Sequence, residues 1–173
     1  LNTSHDRIFI GSGTTDIINT LFSILYSEII IPSPSFSGYL QQLNLMKKNF
    51  YLLPLKEENF YKINPIDLHS LLANLKSKQK ILVLSNPHSV TGAVYTREEL
   101  KNISEVCEKN NCYVLSDEIY SLLTYDANNF ISMASVFPEG TFVISGMAKA
   151  LSIEGYRLGY CILPDKCSEK LKE

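Results

Sequence analysis

Signals for strands and helices alternate along the chain, and this alternation constrains the fold more than any other feature. Short apolar runs predict strands over residues 7–10, 28–31, 50–55, 81–85, 112–116, 141–145 and 157–163. Apolar periodicity and start signals predict helices over 14–26, 36–48, 64–75 and 96–109, with a helix start in 165–173. Such a chain forms α/β layers around a largely parallel sheet. Sheets of this kind bind ligands at the carboxyl ends of their strands.

Length and composition indicate one globular domain. The 173 residues are 45% hydrophobic and 20% charged, which is typical of a protein with a substantial core. A net charge of −2 and one short basic cluster at 76–80 argue against nucleic acid as a partner. No apolar run approaches the ~20 residues that span a bilayer, and residues 1–6 do not resemble a signal peptide. The chain does not begin with Met, so we expect a fragment or a processed product.

The cysteines and histidines argue against disulfides and against a metal site. Cys107, Cys112, Cys161 and Cys167 show no Cys-x-x-Cys spacing, and the three histidines are scattered. Cys107 and Cys161 lie in apolar patterns, where a thiol packs as a small hydrophobic group. We therefore expect reduced cysteines, no metal, and a location in the reducing cytosol.

The turn at residues 11–16 has the composition of a phosphate site. It joins the first strand to the first helix, and Gly13 lets backbone N–H groups approach an anion at the helix N-terminus. The hydroxyls of Thr14 and Thr15 are further donors. An ordinary glycine turn before a capped helix fits equally well. A P-loop and a dinucleotide fingerprint are excluded, because neither Gly-Lys-Ser/Thr nor a third glycine follows.

Two other strand-end loops carry groups that suit a flat ligand. Phe36 follows the second strand, where its ring either stacks on a heteroaromatic ring or is buried in the loop. Residues 84–92 are rich in turn formers and hydrogen-bonding side chains, among them Ser89. This segment is either a ligand loop or an ordinary one. His88 within it is better explained as a loop residue than as a base or a metal ligand.

An acid, a lysine and an arginine follow later apolar runs. Asp117 ends one of these runs. Three roles fit it: the acid of a Walker B motif, a partner for a pyridine nitrogen, or an ion-paired surface group. The missing P-loop argues against Walker B. Lys149 follows another run, with Arg157 eight residues later, although a lone lysine is usually a surface residue. An amine for a Schiff base, a carboxylate for a pyridine nitrogen and a guanidinium for phosphate are what a pyridoxal phosphate site requires.

Taken together, the motifs resemble the class I/II aminotransferases, which are fold-type I enzymes that use pyridoxal phosphate. The resemblance extends over about residues 8–164. It rests on the order and spacing of the glycine-rich turn, the aromatic residue, the Asn-Pro loop, Asp117 with Tyr120, and Lys149 with Arg157. It implies a three-layer α/β/α sandwich around a mostly parallel mixed sheet, with pyridoxal 5'-phosphate as cofactor.

The resemblance also implies a role for each matching residue. Lys149 would be the Schiff-base lysine and proton shuttle, Asp117 would pair with the pyridine nitrogen, and Tyr120 would bond the phenolic oxygen. Phe36 would stack on the ring. The phosphate would be held by four residues: Gly13, Thr14, Thr15 and Arg157.

Departures from the family pattern at four positions affect these expectations. Ser89 and Val90 stand where the family has Asn and Pro. That Asn bonds the phenolic oxygen and helps place the substrate carboxylate, and Ser89 reaches less far. Gly146 and Ala148 stand where the family often has serines, so a phosphate contact is lost, and Ser145 is the candidate substitute.

Family members are longer than this chain, so the resemblance implies that residues 1–173 form the cofactor-binding large domain only. An N-terminal segment and a C-terminal small domain, which normally supplies an arginine for the substrate α-carboxylate, would be absent. A neighbouring subunit usually contributes to the site, which implies a homodimer for the full-length protein. We expect the isolated chain to show little or no turnover.

The implied activity is transfer of an amino group between an amino acid and a 2-oxo acid through a Schiff base at Lys149. Two alternatives remain open. One is different pyridoxal phosphate chemistry, namely elimination, decarboxylation or oxidation at the α or β carbon. The departure from the family pattern at Ser89 and Val90 suggests this alternative. The other is a non-catalytic cofactor-binding domain of a regulatory protein. The sequence identifies neither amino donor nor acceptor.

Overall fold

The computed structural model describes residues 3–25, 27–125 and 130–165. Within these ranges the strands are β1 (Ile8–Ser12), β2 (Glu28–Ser33), β3 (Phe50–Pro54), β4 (Lys80–Ser85), β5 (Cys112–Asp117), β6 (Thr141–Gly146) and β7 (Leu158–Ile162). The α-helices are α1 (Gly13–Ile24), α2 (Ser37–Leu45), α3 (Pro65–Asn74) and α4 (Arg97–Lys109). Each predicted strand and each of the four predicted helices is present. The helix start predicted in 165–173 lies almost wholly outside the described residues.

All seven strands form one sheet in the order β1-β7-β6-β5-β4-β2-β3. The five strands β6, β5, β4, β2 and β3 are parallel to one another, whereas β7 is antiparallel to both β6 and β1. The prediction of a mostly parallel mixed sheet is confirmed. Because parallel strands end at the same edge, the segments that follow β2, β4, β5 and β6 lie next to one another.

Two apolar cores cover the two faces of the sheet. Alternation along β2 places Ile29 and Ile31 in one core and Ile30 in the other. The first core packs α1 and α2 through Ile17, Ile18, Leu21, Phe22, Tyr39 and Leu43. The second packs α3 and α4 through Leu68, Leu72, Leu100, Ile103 and Cys107. Helices on both faces make the three-layer sandwich that the family resemblance implied.

Local chemistry sets the helix starts. Asn64 caps α3 by accepting from Ile66 N at 2.8 Å. Thr96 and Glu99 form the predicted capping box of α4, with Thr96 N donating to Glu99 Oε2 at 2.7 Å and Glu99 N donating to Thr96 Oγ1 at 3.3 Å.

Several predicted boundaries differ from the observed ones by one to three residues, and two of these differences affect the ligand-binding edge. The helix expected over 36–48 spans only Ser37–Leu45, so Phe36 is an extended residue before it. The second strand continues through Pro32 to Ser33. Its pairing with β4 stops at Ile30, so Pro32 pairs only with β3 and needs to donate no hydrogen bond toward β4.

Within the described ranges, none of the helices has both the length and the apolar character needed to cross a membrane. Among the described residues, Cys107, Cys112 and Cys161 form no disulfide. Cys167 lies outside the described residues.

Candidate active site

A cleft of about 210 Å³ opens at the carboxyl edge of the sheet. Five segments build it: the β1–α1 turn, the β2–α2 loop, the loop after β4, the end of β5 and the segment between β6 and β7. The residues that line it are Gly13, Thr14, Thr15, Ile18, Phe36, Tyr39, Ser89, Asp117, Ile119, Tyr120, Ala148, Lys149, Glu154, Arg157 and Leu158. Side chains far apart in sequence are therefore brought to one concave surface.

One end of the cleft combines a helix N-terminus with a guanidinium group. Gly13 begins α1 with a φ of +80°, a conformation that glycine adopts without strain. A Cβ built on Gly13 would lie 2.5 Å from Arg157 Nη2. Arg157 Nη2 donates to Ser12 O at 3.4 Å, and Arg157 Nη1 donates to Glu154 O at 3.2 Å. This arrangement of backbone N–H groups and a cation suits an anionic group such as phosphate.

A buried carboxylate forms the floor. Asp117 ends β5, and its Oδ2 accepts from the Tyr39 hydroxyl at 2.5 Å while its Oδ1 accepts from Ile119 N at 3.2 Å. Burial raises the pKa of Asp117, and the two hydrogen bonds oppose that rise. Burial, followed by the charge of Asp117, raises the pKa of Tyr39 well above its usual value. Each carboxylate oxygen retains acceptor capacity for a further donor from the cleft.

The amine of Lys149 forms an ion pair inside the cleft. Lys149 Nζ lies 3.1 Å from Glu154 Oε1, and the two side chains are 39% and 59% exposed. Both cations of the cleft thus contact Glu154, Lys149 through the carboxylate and Arg157 through the backbone carbonyl.

An aromatic ring stands at the cleft wall. Phe36 is 46% exposed, and its ring meets Tyr39 edge-on, with centroids 5.5 Å apart and planes at 88°. A Cβ on Gly38 would lie 2.2 Å from Phe36, so the glycine makes room for this ring position. One face of such a ring can stack on a flat ligand.

The loop after β4 contributes a hydroxyl without a partner. Ser89 Oγ is buried, yet it makes no hydrogen bond to the described residues. The neighbouring His88 is buried and uses Nδ1 with Thr91, whose Oγ1 lies 2.9 Å away. Burial lowers the pKa of His88. Buried polar atoms are usually satisfied, so the orphaned Ser89 hydroxyl indicates a ligand group beside it.

Comparison with known proteins identifies the family. The sequence model described as "Aminotransferase class I and II" matches residues 1–173. The chain belongs to this family. It is 34% identical over 160 residues to the aspartate aminotransferase of Bacillus subtilis strain 168. The aligned region covers 89% of this chain and 40% of that protein. The chain therefore spans about 40% of the length of this curated relative.

Solved structures have the same fold. Aspartate aminotransferase from Thermus thermophilus, solved with maleate, superposes with a TM-score of 0.84 at 27% identity and covers 96% of this chain and 43% of that chain. The PLP-bound C-S lyase from Staphylococcus hominis superposes with a TM-score of 0.89 over 99% of this chain and 44% of that chain. Its 20% identity supports the fold alone. The family and the fold predicted from sequence are both confirmed.

Nine of the ten predicted cofactor residues line the cleft of this aminotransferase-family chain. They are Gly13, Thr14, Thr15, Phe36, Ser89, Asp117, Tyr120, Lys149 and Arg157. Ser145 is the exception. It is buried in β6, and its Oγ donates to Glu118 O at 3.2 Å, so its hydroxyl is engaged within the protein.

The departure at Gly146 has a steric explanation. The family often has serine here, but a Cβ at Gly146 would lie 2.7 Å from Leu158 O of the antiparallel strand β7. No side chain fits at this position unless one of the two strands moves. The loss of a family hydroxyl therefore follows from the close approach of β6 and β7.

Two cleft residues with polar side chains, Tyr39 and Glu154, were missed by the sequence analysis. Tyr39 lies three residues after Phe36, and Glu154 lies five residues after Lys149. The only sequence signal for Tyr39 was a large aromatic next to a predicted ligand loop. Glu154 had the signal of an acid between two candidate cations, Lys149 and Arg157, close enough in sequence to pair with either.

Proposed function

We propose that this chain supplies the cofactor-binding part of a pyridoxal phosphate-dependent aminotransferase that moves an amino group between an amino acid and a 2-oxo acid. The observation that carries the proposal is the convergence of Lys149, Asp117 and Arg157 on one cleft at the carboxyl edge of the sheet. These three residues come from three different segments of the chain. Their chemistry matches an aldehyde, a pyridine nitrogen and a phosphate.

The residues present fit the cofactor. The buried, unpartnered Ser89 hydroxyl offers a hydrogen bond to the cofactor's phenolic oxygen, together with Tyr120. Phe36 offers a ring face, and Asp117 an acceptor for a protonated pyridine nitrogen. The phosphate would be held by the Arg157 guanidinium and by the backbone and hydroxyls at the start of α1, namely Gly13, Thr14 and Thr15.

Bound pyridoxal phosphate supplies an aldehyde that condenses with amines and an electron-withdrawing ring that stabilises charge on the substrate's α carbon. Asp117 holds a proton at the pyridine nitrogen and so maintains that withdrawal. Lys149 Nζ, which lines the same cleft as Arg157, would accept the proton of the substrate's α carbon as a general base. Arg157 and the turn at Gly13 fix the phosphate end, so that Lys149 meets the reacting carbon in one orientation.

The activity is tested with cofactor-loaded full-length protein and L-aspartate, since a relative at 34% identity is an aspartate aminotransferase. We expect one equivalent of 2-oxo acid per loaded site without ammonia, and continued turnover only when a 2-oxo acid acceptor is added. Release of ammonia without an acceptor would contradict transamination and support elimination. Cofactor binding without reaction of any amino acid would support the non-catalytic alternative. Low turnover of the 173-residue chain alone remains a separate prediction, which rapid multiple turnover would contradict.

Replacing Gly159 with alanine should weaken cofactor binding. A Cβ there would lie 2.6 Å from Gly13 C and 2.8 Å from Thr14 N, both backbone atoms, so the phosphate turn must shift. Losing charge-assisted contacts of about 1.5–3 kcal/mol corresponds to roughly ten- to hundred-fold weaker binding. The measurement is titration with pyridoxal phosphate. Gly155→Ala is the matched control, because a Cβ at Gly155 meets no atom within 4 Å, and equal losses in both variants would contradict the argument.

We also propose that the protein acts as a homodimer in the cytosol. The support for association is apolar surface at the cleft side of the chain, where Leu151 and Tyr156 are 59% and 80% exposed. The support for the compartment is that no disulfide joins the cysteines among the described residues. Sedimentation of the full-length protein tests the first, and a monomer at micromolar concentration would contradict it.

A further inference from the structure

The ion pair between Lys149 and Glu154 joins the proposed reactive amine to an acid for which the family resemblance implied no role. We propose that Glu154 is a positioning residue that restrains Lys149 in the cofactor-free protein and slows capture of the cofactor aldehyde. The inference rests on the proposed function, because it concerns the same amine and the same cleft.

Capture requires a lone pair on nitrogen. The ammonium of Lys149 must lose one proton to solvent before the nitrogen can bond to the aldehyde carbon. The aldehyde oxygen then leaves as water with the two remaining nitrogen protons, and a C=N bond is formed. At 3.1 Å, Glu154 Oε1 stabilises the ammonium and holds it in place, so the pair must separate before this sequence begins.

The backbone around Glu154 keeps the acid beside the amine. Ile153 N donates to Ala148 O at 3.1 Å, which closes the segment that carries Lys149. Glu154 O accepts from Arg157 Nη1 at 3.2 Å, so the segment is anchored on its other side as well. The carboxylate is therefore presented to Lys149 by a braced loop, whereas the carbonyl contact with Arg157 does not depend on side-chain identity.

The Glu154→Gln variant tests the charge of this side chain without changing its shape. Glu154→Gln retains the backbone bond to Arg157, the side-chain length and a hydrogen-bonding group, but it removes the negative charge. Exposed or half-exposed ion pairs are worth little, so we expect capture at pH 7 to be only roughly two- to five-fold faster in this variant. The effect should diminish at high ionic strength, because salt screens a half-exposed ion pair.

Other groups that titrate or carry charge face the same cleft. Among the described residues that line it, they are Tyr39, Asp117, Tyr120 and Arg157. All of them are unchanged in Glu154→Gln. A ratio of variant to wild-type rates that depends on ionic strength therefore reports the removed carboxylate, whereas a purely structural role of Glu154 would give a ratio independent of ionic strength.

The test is rapid mixing of the cofactor-free chain with excess pyridoxal phosphate at pH 7, followed at ~420 nm from low to high ionic strength. Pyridoxal, which lacks phosphate, is the second probe. Glu105→Gln is the matched control, because Glu105 is an exposed glutamate on α4. Faster capture of both probes by Glu154→Gln alone, with the ratio of rates falling toward one at high ionic strength, is the expected result.

Three outcomes would overturn the inference while leaving the proposed function intact. Equal rates in wild type and variant would show that the pair does not restrain the amine. Slower capture by Glu154→Gln would mean that the acid assists. Acceleration with pyridoxal phosphate but not with pyridoxal would place the action of Glu154 on the phosphate. No band in either protein, with no reducible adduct at Lys149, would overturn the proposed function and this inference together.

Discussion

Lys149→Arg should eliminate covalent capture of pyridoxal phosphate. A guanidinium keeps the positive charge and the pairing with Glu154, but it remains protonated in proteins and so offers no lone pair to an aldehyde. We expect wild type mixed with the cofactor to show a band near ~420 nm and, after borohydride reduction, a pyridoxyl mass on the peptide that carries Lys149. The variant should show neither. Amino transfer by the loaded protein should fall roughly a thousand-fold or more, as when a covalent catalyst is removed.

The control for this prediction is Lys101→Arg. Lys101 is an exposed lysine on α4, which packs on the opposite face of the sheet from α1. Its replacement is the same chemical change as Lys149→Arg. Its adduct and spectrum should equal those of wild type. A pyridoxyl mass on a different lysine in wild type, with Lys149 unmodified, would contradict the assignment of Lys149. Retention of the band in Lys149→Arg would do the same.

The general position of the cleft was predictable because of a topological rule. Asp117 ends β5 and Lys149 lies shortly after β6, and these parallel strands end at the same edge. Once the strands were identified from their apolar runs, residues after neighbouring strand ends had to be close in space. The turn at Gly13 required more, because β1 joins the sheet only through the antiparallel strand β7. Its nearness to Arg157 follows from pairing that an apolar pattern does not specify.

The contacts of single side chains were not predictable in the same way. Ser145 follows Ile144, which packs in the α1–α2 core, so alternation along β6 directs Ser145 to the opposite face. The sequence predicted that Ser145 lies near Lys149, but it did not establish which face of β6 carries the Ser145 side chain. The bond between Tyr39 and Asp117 joins residues 78 positions apart. Such a contact depends on how α2 lies on the sheet, which local periodicity leaves undetermined.

Stability should fall with rising pH because of Glu118. This residue follows Asp117 but turns away from the cleft, and its side chain is buried with only 4% of its surface exposed. Its Oε1 accepts from Ser116 Oγ at 2.9 Å, Ser132 Oγ at 2.9 Å and Met133 N at 3.1 Å. Burial, opposed by these bonds and reinforced by the charge of Asp117, raises the pKa of Glu118 to about 7.

The sign of the effect follows from proton binding. Between the unfolded pKa of 4.5 and the folded pKa of about 7, the folded state holds a proton on Glu118 that the unfolded state has released. The free energy of unfolding therefore decreases as pH rises through this window. A shift of this size corresponds to about 3 kcal/mol between pH 4 and pH 8.

Glu118→Gln isolates this contribution, since the amide is neutral at every pH and its oxygen can accept the same three hydrogen bonds. We expect the unfolding free energy of the variant minus that of wild type to increase by about 3 kcal/mol from pH 4 to pH 8, measured by urea denaturation. Glu105→Gln, an exposed change of the same kind, should give a difference that stays near zero. A constant difference for Glu118→Gln would mean that Glu118 ionises alike in both states. Asp117 also has a raised pKa and is present in both proteins, and its charge is one cause of the raised pKa of Glu118, so the slope reports Glu118 together with its coupling to Asp117.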